Sequence, residues 1–129
     1  MSQRPVILDT NFLLIPFQFK IDIFRELDYL IEISHNYVIS SRTITELETL
    51  GKRIGKDGMA ARLALKLVVA NSKKITIVEN NDYVDDWIVE YAKTFNAIVC
   101  TNDSKLRKRL REARIKAITM KSKSKLGYV

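Results

Sequence analysis

The chain is poor in the residues that mark several common functional classes. It has one cysteine and one histidine among 129 residues. A single thiol, Cys100, excludes an internal disulfide. It lies in the apolar run Ala97-Ile98-Val99-Cys100-Thr101 and reads there as a small core residue. His35 stands in the polar stretch Ser34-His35-Asn36, with no second histidine and no cysteine partner, which argues against a zinc centre. There are only four glycines and no Gly-rich phosphate loop, so nucleotide binding is set aside. No apolar run approaches the length of a membrane span, and no membrane partner is expected. Met1-Ser2-Gln3-Arg4-Pro5 leads straight into an apolar run without a secretory h-region. Together with the lone thiol, that start predicts a reducing, cytoplasmic setting. Internal repeats and low-complexity linkers are also missing.

What is present is an ordinary globular mixture, 47% hydrophobic and 29% charged. It suits one domain over residues 1–129 with a real core. The net charge of +7 is unevenly placed. From Ser104 to Lys125 the run Lys105, Arg107, Lys108, Arg109, Arg111, Arg114, Lys116, Lys121, Lys123, Lys125 is opposed by Glu112 alone. Such a cluster favours a polyanionic partner; as a bland alternative it is a solvated helix face followed by a basic tail at about 121–129.

Short β-rich runs alternate with helical periodicity, which is the pattern of βα units. Strands are expected at residues 6–9, 37–40, 75–78, 97–101 and 117–120. Helices are expected at about 21–33, 43–52, 57–70, 84–95 and 104–113, the second opened by a capping box, Thr43-x-x-Glu46. The fold class is therefore α/β: a single-domain, three-layer α/β/α sandwich with a four- to five-stranded, mainly parallel sheet. The stretch from Leu13 to Phe19, around Pro16, reads as a packed connector or as a loop beside a site.

Four acidic positions stand out against this frame. Asp9 ends the first apolar run, Glu46 lies a few residues past the second, and Asp103 follows the fourth. Asp85 or its neighbour Asp86 opens a helix. In a parallel α/β sheet the strand C-termini share one edge, where ligands bind. Acids placed there converge, repel one another and resist joint ionisation. A hard divalent cation with oxygen ligands removes that conflict, so the pattern points to Mg²⁺ or Mn²⁺ and phosphate chemistry. Each acid also has a plain alternative. Asp9 and Asp103 are natural helix caps, Glu46 is an arm of the capping box, and Asp82, Asp85 and Asp86 complement a helix dipole. Thr10 and Asn11 beside Asp9 supply short polar groups that orient a carboxylate.

Taken in order, Asp9-Thr10-Asn11, Glu46, Asp85 and Thr101-Asn102-Asp103 resemble the motifs of the PIN-domain nucleases, over nearly the whole chain. The resemblance implies a PIN-like fold and a pocket in which Asp9, Glu46, Asp85 and Asp103 hold divalent metal and hydrolyse RNA phosphodiesters. Asp86, Asn11 and Thr101 would support that set. Lys105, Arg107, Lys108, Arg109 and Arg111 would hold the RNA backbone. Asp-Thr-Asn-Phe-Leu-Leu-Ile-Pro with Phe17-Gln18-Phe19, Glu-Leu-Glu, the Asp85-Asp86 pair and Lys-Leu-Arg-Lys-Arg-Leu-Arg resemble the endonucleases that process small-subunit ribosomal RNA in archaea and eukaryotes. That branch implies a ribosomal RNA precursor as partner. The VapC-type toxin branch would imply an antitoxin instead, and small domains of this kind often pair as homodimers. A catalytically silent RNA-binding module in ribosome assembly is the non-enzyme alternative, against which the complete acid set argues. Aspartyl phosphotransfer would want a second aspartate where Asn11 stands.

Overall fold

The computed structural model describes residues 3–129. Its elements run in the order β1 (Arg4–Leu8), α1 (Thr10–Leu13), α2 (Ile15–Phe19), α3 (Ile23–Leu30), β2 (His35–Ser40), α4 (Ser41–Gly51), α5 (Lys56–Ala70), β3 (Ile75–Val78), α6 (Val84–Phe95), β4 (Ile98–Cys100), α7 (Ser104–Glu112), β5 (Ala117–Ser122) and β6 (Lys125–Tyr128). The six strands form one sheet in the order β3-β2-β1-β4-β5-β6. The pairings β1–β2, β1–β4, β2–β3 and β4–β5 are parallel, and β5–β6 is antiparallel.

Alternation along the strands builds the two faces. Val6 and Leu8, Tyr37 and Ile39, Ile98 and Cys100 point into a core shared with α1 to α5. Ile7, Val38, Val99 and Ala117 point the other way, into a second core closed by Ile88, Val89 and Ala92 of α6 and Leu106 and Leu110 of α7. Strand order reverses at β1, which lies between β2 and β4. That reversal places the usual ligand crevice of an open α/β sheet at the C-terminal ends of β1 and β4, where Asp9 and the Thr101-Asn102-Asp103 segment emerge.

Several elements differ from the sequence expectation. The sheet has six strands, because residues expected as a basic tail at 121–129 fold back as β6. Only Leu126 of that segment is buried, so no alternating apolar signal announces the strand. Main-chain pairing carries it, and the stem of Lys121 lies over Gly127, where a side chain would collide with it. The Leu13-to-Phe19 stretch is largely helical, divided between the end of α1 and α2, with Leu13 and Ile15 fully buried. It is a packed connector, and Pro16 falls in the first turn of α2, where its missing N–H costs no bond. The first predicted helix is shorter than 21–33, running Ile23–Leu30 behind an Asp22 cap. The capping box at Thr43 does not form. Helix α4 begins at Ser41, with the Ser40 hydroxyl accepting from the Arg42 N–H, and Glu46 is left free of a capping role.

Candidate functional site

Asp9 is the centre of the C-terminal edge. Its backbone is extended, it caps α1, and its carboxylate is nearly buried, 6% exposed. One oxygen accepts from the Thr10 N–H at 2.8 Å, and the other from the Thr101 hydroxyl at 2.7 Å. Burial pushes its pKa up to about 6. The bonds from Thr101 and Thr10 act against the rise, and the charges of Asp85 and Glu46 add to it. These causes place three of the expected acids within electrostatic reach of one another.

Glu46 sits on the second turn of α4, and its Oε1 accepts from the Thr10 hydroxyl at 3.3 Å. Partial desolvation raises its pKa; the Thr10 bond opposes this, the charge of Asp85 adds to it, and Arg42 opposes it. Asp85 is in the first turn of α6. Its pKa is raised by desolvation and then by the charge of Asp103, opposed by Arg109. Asp103 caps α7, one oxygen accepting from the N–H groups of Lys105 (2.8 Å) and Leu106 (3.1 Å). Its own N–H donates to the Thr101 hydroxyl at 3.0 Å. Asp9, Glu46, Asp85 and Asp103 thus converge from four separate stretches of chain.

Asp86, one residue on, is exposed and meets Arg109 Nη1 at 2.9 Å. No acid at 82–86 is the side-chain cap of α6, because the N-cap is Tyr83, which makes no side-chain capping bond. Asp85 is therefore spared for the cluster, and Asp86 is committed to α7.

Other residues brace the edge; Asn11 and Asn102 belong to the motifs read in the sequence, whereas Ser40, Asn80 and Thr119 were not singled out there. The Asn102 N–H donates to Asn11 Oδ1 at 3.3 Å, joining the loops after β1 and β4. Asn102 Oδ1 accepts from the Thr119 hydroxyl (2.9 Å) and the Met120 N–H (3.0 Å), adding β5. Buried Asn80 donates to Ser40 Oγ and to the Asp82 carbonyl and accepts from the Asp82 N–H. That fixes the start of α6 against the start of α4. The signal available for these residues was their position: short polar side chains just past strand ends.

The five basic residues expected to face one ligand are divided. Lys105 and Lys108 are exposed. Arg107 donates to Thr119 Oγ1 at 3.3 Å, and with Arg111, Arg114 and Lys116 it lines a hollow of about 370 Å³ beside Val129. Arg109 lies on the α6 side, with Asp86.

Among the described residues no group of three or more His, Cys, Asp or Glu side chains is placed to hold a metal ion together. The donor set nevertheless suits a hard cation. It is made of carboxylates, and the pKa values of Asp9, Glu46 and Asp85 are raised first by burial and further by acidic neighbours, so that a positive charge relieves them. An open arrangement matches a cation that keeps several waters and takes only one or two carboxylates.

A family model described as a PIN like domain matches residues 6–123. The chain is 34% identical over 120 residues to Ribonuclease VapC4 of Methanocaldococcus jannaschii, which covers 92% of this chain and 91% of that protein. It is 32% identical over 109 residues to the rRNA-processing protein FCF1 of Saccharomyces cerevisiae, 83% of this chain and 54% of that one, so it spans about half that relative's length. Among solved structures it is similar to the PIN domain endonuclease Utp24, with a TM-score of 0.79 and 28% identity over 96% of this chain and 90% of that one.

Proposed function

The chain belongs to the PIN-like domain family, and from that premise we propose that it is a metal-dependent endoribonuclease hydrolysing RNA phosphodiester bonds, with ribosomal RNA processing as its setting. The observation that carries the reading is the convergence of Asp9, Glu46, Asp85 and Asp103 at the sheet edge, with the pKa of Asp9 raised to about 6. Relatives of both branches bear names that state ribonuclease or rRNA processing.

In this reading Asp9, Glu46, Asp85 and Asp103 would hold Mg²⁺ or Mn²⁺, one or two of them directly and the others through its waters. When bound, such a cation neutralises charge building on the phosphate and acidifies a water for in-line attack. The chain's own groups do the rest. Thr101 and the Thr10 N–H fix both oxygens of Asp9, so its lone pairs have one orientation. The Thr10 hydroxyl orients Glu46 in the same way. The amides of α7 hold Asp103, leaving its second oxygen free of those bonds. Lys105 and Lys108, together with the arginines of α7, attract the strand through phosphate contacts that carry little sequence information. Specificity then rests on RNA shape or unpaired loops.

The full-length similarity to Ribonuclease VapC4 favours a second reading, a toxin ribonuclease held in check by an antitoxin. The two differ in biology and not in chemistry. Among the described residues no helix is long and apolar enough to cross a membrane. We propose for the chain a cytoplasmic location and a homodimeric state.

The test is cleavage of ribosomal precursor RNA by the purified protein with Mn²⁺ or with EDTA, beside Asp9→Asn. Discrete products that vanish with EDTA and in the mutant support the reading. Equal binding without cleavage in both proteins points to the silent module. Growth arrest on expression, relieved by a neighbouring gene product, points to the toxin.

A further inference from the structure

A second basic wall, formed by Arg42 of α4 and Arg53 of the turn after it, lies on the other side of the acids from α7. A hollow of about 350 Å³ opens between α1 and α4, and its lining includes Thr10, Glu46, Arg42 and Arg53. Two of these, Thr10 and Glu46, belong to the acid cluster itself. The hollow on the α7 side, with Arg107, Arg111 and Arg114, shares no residue with the acids. Thr45 and Thr49 add hydroxyls one helical turn apart, and Leu50 supplies an apolar patch.

The Arg42 side chain and the Arg53 backbone are both held in place. Arg42 Nη1 donates to the Asn81 carbonyl at 2.9 Å, and its charge bears on Glu46. Arg53 lies in the turn between α4 and α5, and that turn is braced. Arg62 of α5 donates to the Gly51 carbonyl at 2.6 Å and to the Arg53 carbonyl at 3.3 Å. Gly55 takes a left-handed φ of 105°, and a side chain at Gly58 would collide with the Arg53 carbonyl. Among the described residues neither Arg42 nor Arg53 has a carboxylate at ion-pair distance. Two guanidinium groups without an ion-pair partner, that of Arg42 held by the Asn81 carbonyl and that of Arg53 carried on a braced turn, suit with the neighbouring hydroxyls a phosphodiester oxygen and its ribose. The volume is at the lower end of small-ligand clefts, about 300–1,000 Å³, which suits one nucleotide and no more.

Resting on the ribonuclease reading, we infer that the α4 hollow takes the single-stranded RNA phosphate next to the one cleaved, bound by Arg42 and Arg53. The strand then enters the acid pocket across α4 and leaves toward α7. Most of the arginines on α7 act outside the cleavage pocket.

The test is binding of a fluorescein-labelled oligouridylate, followed by anisotropy across a salt series with Mg²⁺. The full chain carries Asp9→Asn so that the strand stays intact. Each phosphate contact on a single strand contributes about 0.7 to the slope of log affinity against log salt. Adding Arg53→Ala or Arg42→Ala is expected to weaken binding about three- to tenfold and to lower the slope by about 0.7. Arg53→Lys keeps the slope. Lys73→Ala, which removes the same charge at the opposite edge of the sheet, changes neither. Thermal melts by circular dichroism verify that each variant is folded, and Arg53→Gln replaces Arg53→Ala if that variant is not. Parental affinity and slope in both arginine variants overturn the inference while leaving the ribonuclease reading intact. A parent protein with no salt-dependent RNA binding overturns both.

Discussion

At the N-terminal edge of the sheet Asp28 is met by partners on every side; at the C-terminal edge Asp9 is surrounded by other acids. Asp28 accepts from the Tyr37 hydroxyl at 2.6 Å, meets His35 Nε2 at 2.9 Å and lies 4.0 Å from Lys74. Although partial desolvation acts the other way, these partners hold its carboxyl below the usual range. Asp9 has two good hydrogen-bond donors, yet burial and its acidic neighbours lift it to about 6. The first arrangement is complete and stabilises the fold. The second is incomplete, because its charges are balanced only when something positive arrives. Both edges have polar clusters and hollows, and the larger hollow, about 540 Å³, is at the Asp28 edge. Charge left unbalanced, and not the size of a cavity, is therefore what marks the Asp9 edge as the candidate site and the Asp28 edge as structural.

The comparison breaks most visibly at Asp9. Replacing Asp9 by Asn is expected to lower RNA cleavage on the order of a thousandfold, about 4 kcal/mol of barrier. Asp85→Asn should follow at roughly a hundredfold. Stability should move the other way. A rise from 3.8 to about 6 on a buried carboxylate corresponds to about 3 kcal/mol of opposition to ionisation. The folded protein binds more protons than the unfolded chain between about pH 4 and 6, so stability from this group is present below pH 4 and falls as pH rises to about 6. Urea unfolding should show that fall in the native chain and its loss in Asp9→Asn, which should be the more stable protein at pH 7 by on the order of 1 kcal/mol. A less stable mutant with the fall intact would put the strain elsewhere.

A cation should sharpen the same contrast. Mg²⁺ or Mn²⁺ at about a hundred times its dissociation constant should stabilise the folded chain by about 2.7 kcal/mol at pH 7. The gain, read as a rise in melting temperature, should shrink as pH falls below 6 and vanish in Asp9→Asn. No rise with either ion in the native chain counts against the metal reading without touching the fold.

At the other edge the effects are structural. Tyr37→Phe leaves the Asp28–His35 pair without its buried donor and should cost about 1–2 kcal/mol in urea unfolding. Its RNA cleavage should be unchanged. Asp28 has a lowered folded pKa, so its contribution is present above about pH 4 and fades as pH falls through the folded value. The mutant should lose part of that acid sensitivity. A cleavage defect in Tyr37→Phe would mean that the two edges are coupled through the sheet.

How legible these edges were in the sequence differs for a physical reason. Asp9 and Asp103 follow apolar runs, so strand periodicity alone put them at one edge, and α6 at 84–95 matched the expected range. Asp28 and Tyr37 carry no such signal, because their pairing joins a helix to a strand through side chains of common types. The β6 strand was missed because main-chain bonds and one buried leucine hold it. Glu46 was legible as a site candidate from its place after the second strand, and the competing capping-box explanation failed because Ser40, three residues before Thr43, captures the helix start. The division of the α7 cations was not legible at all: which arginine meets Thr119 and which meets Asp86 depends on strands and helices distant in sequence.

The finest cut lies between neighbours. Asp85 and Asp86 occupy consecutive positions in the first turn of α6, about 100° apart around its axis. The pKa of Asp85 is raised by burial and by Asp103, whereas Asp86 is exposed and bonded to Arg109. An exposed ion pair of that kind contributes less than about 1 kcal/mol, screened further by salt. Asp86→Asn should therefore change stability by less than 1 kcal/mol and cleavage by no more than about threefold. The residual effect should come from Asp85, whose raised pKa loses the contribution of the Asp86 charge while Arg109, which already opposes the rise, is released. Raising the salt concentration should erase even that difference. Were Asp86→Asn as damaging as Asp85→Asn, the two acids would have to exchange roles, and α6 would have to turn by one residue to bring Asp86 toward Asp103.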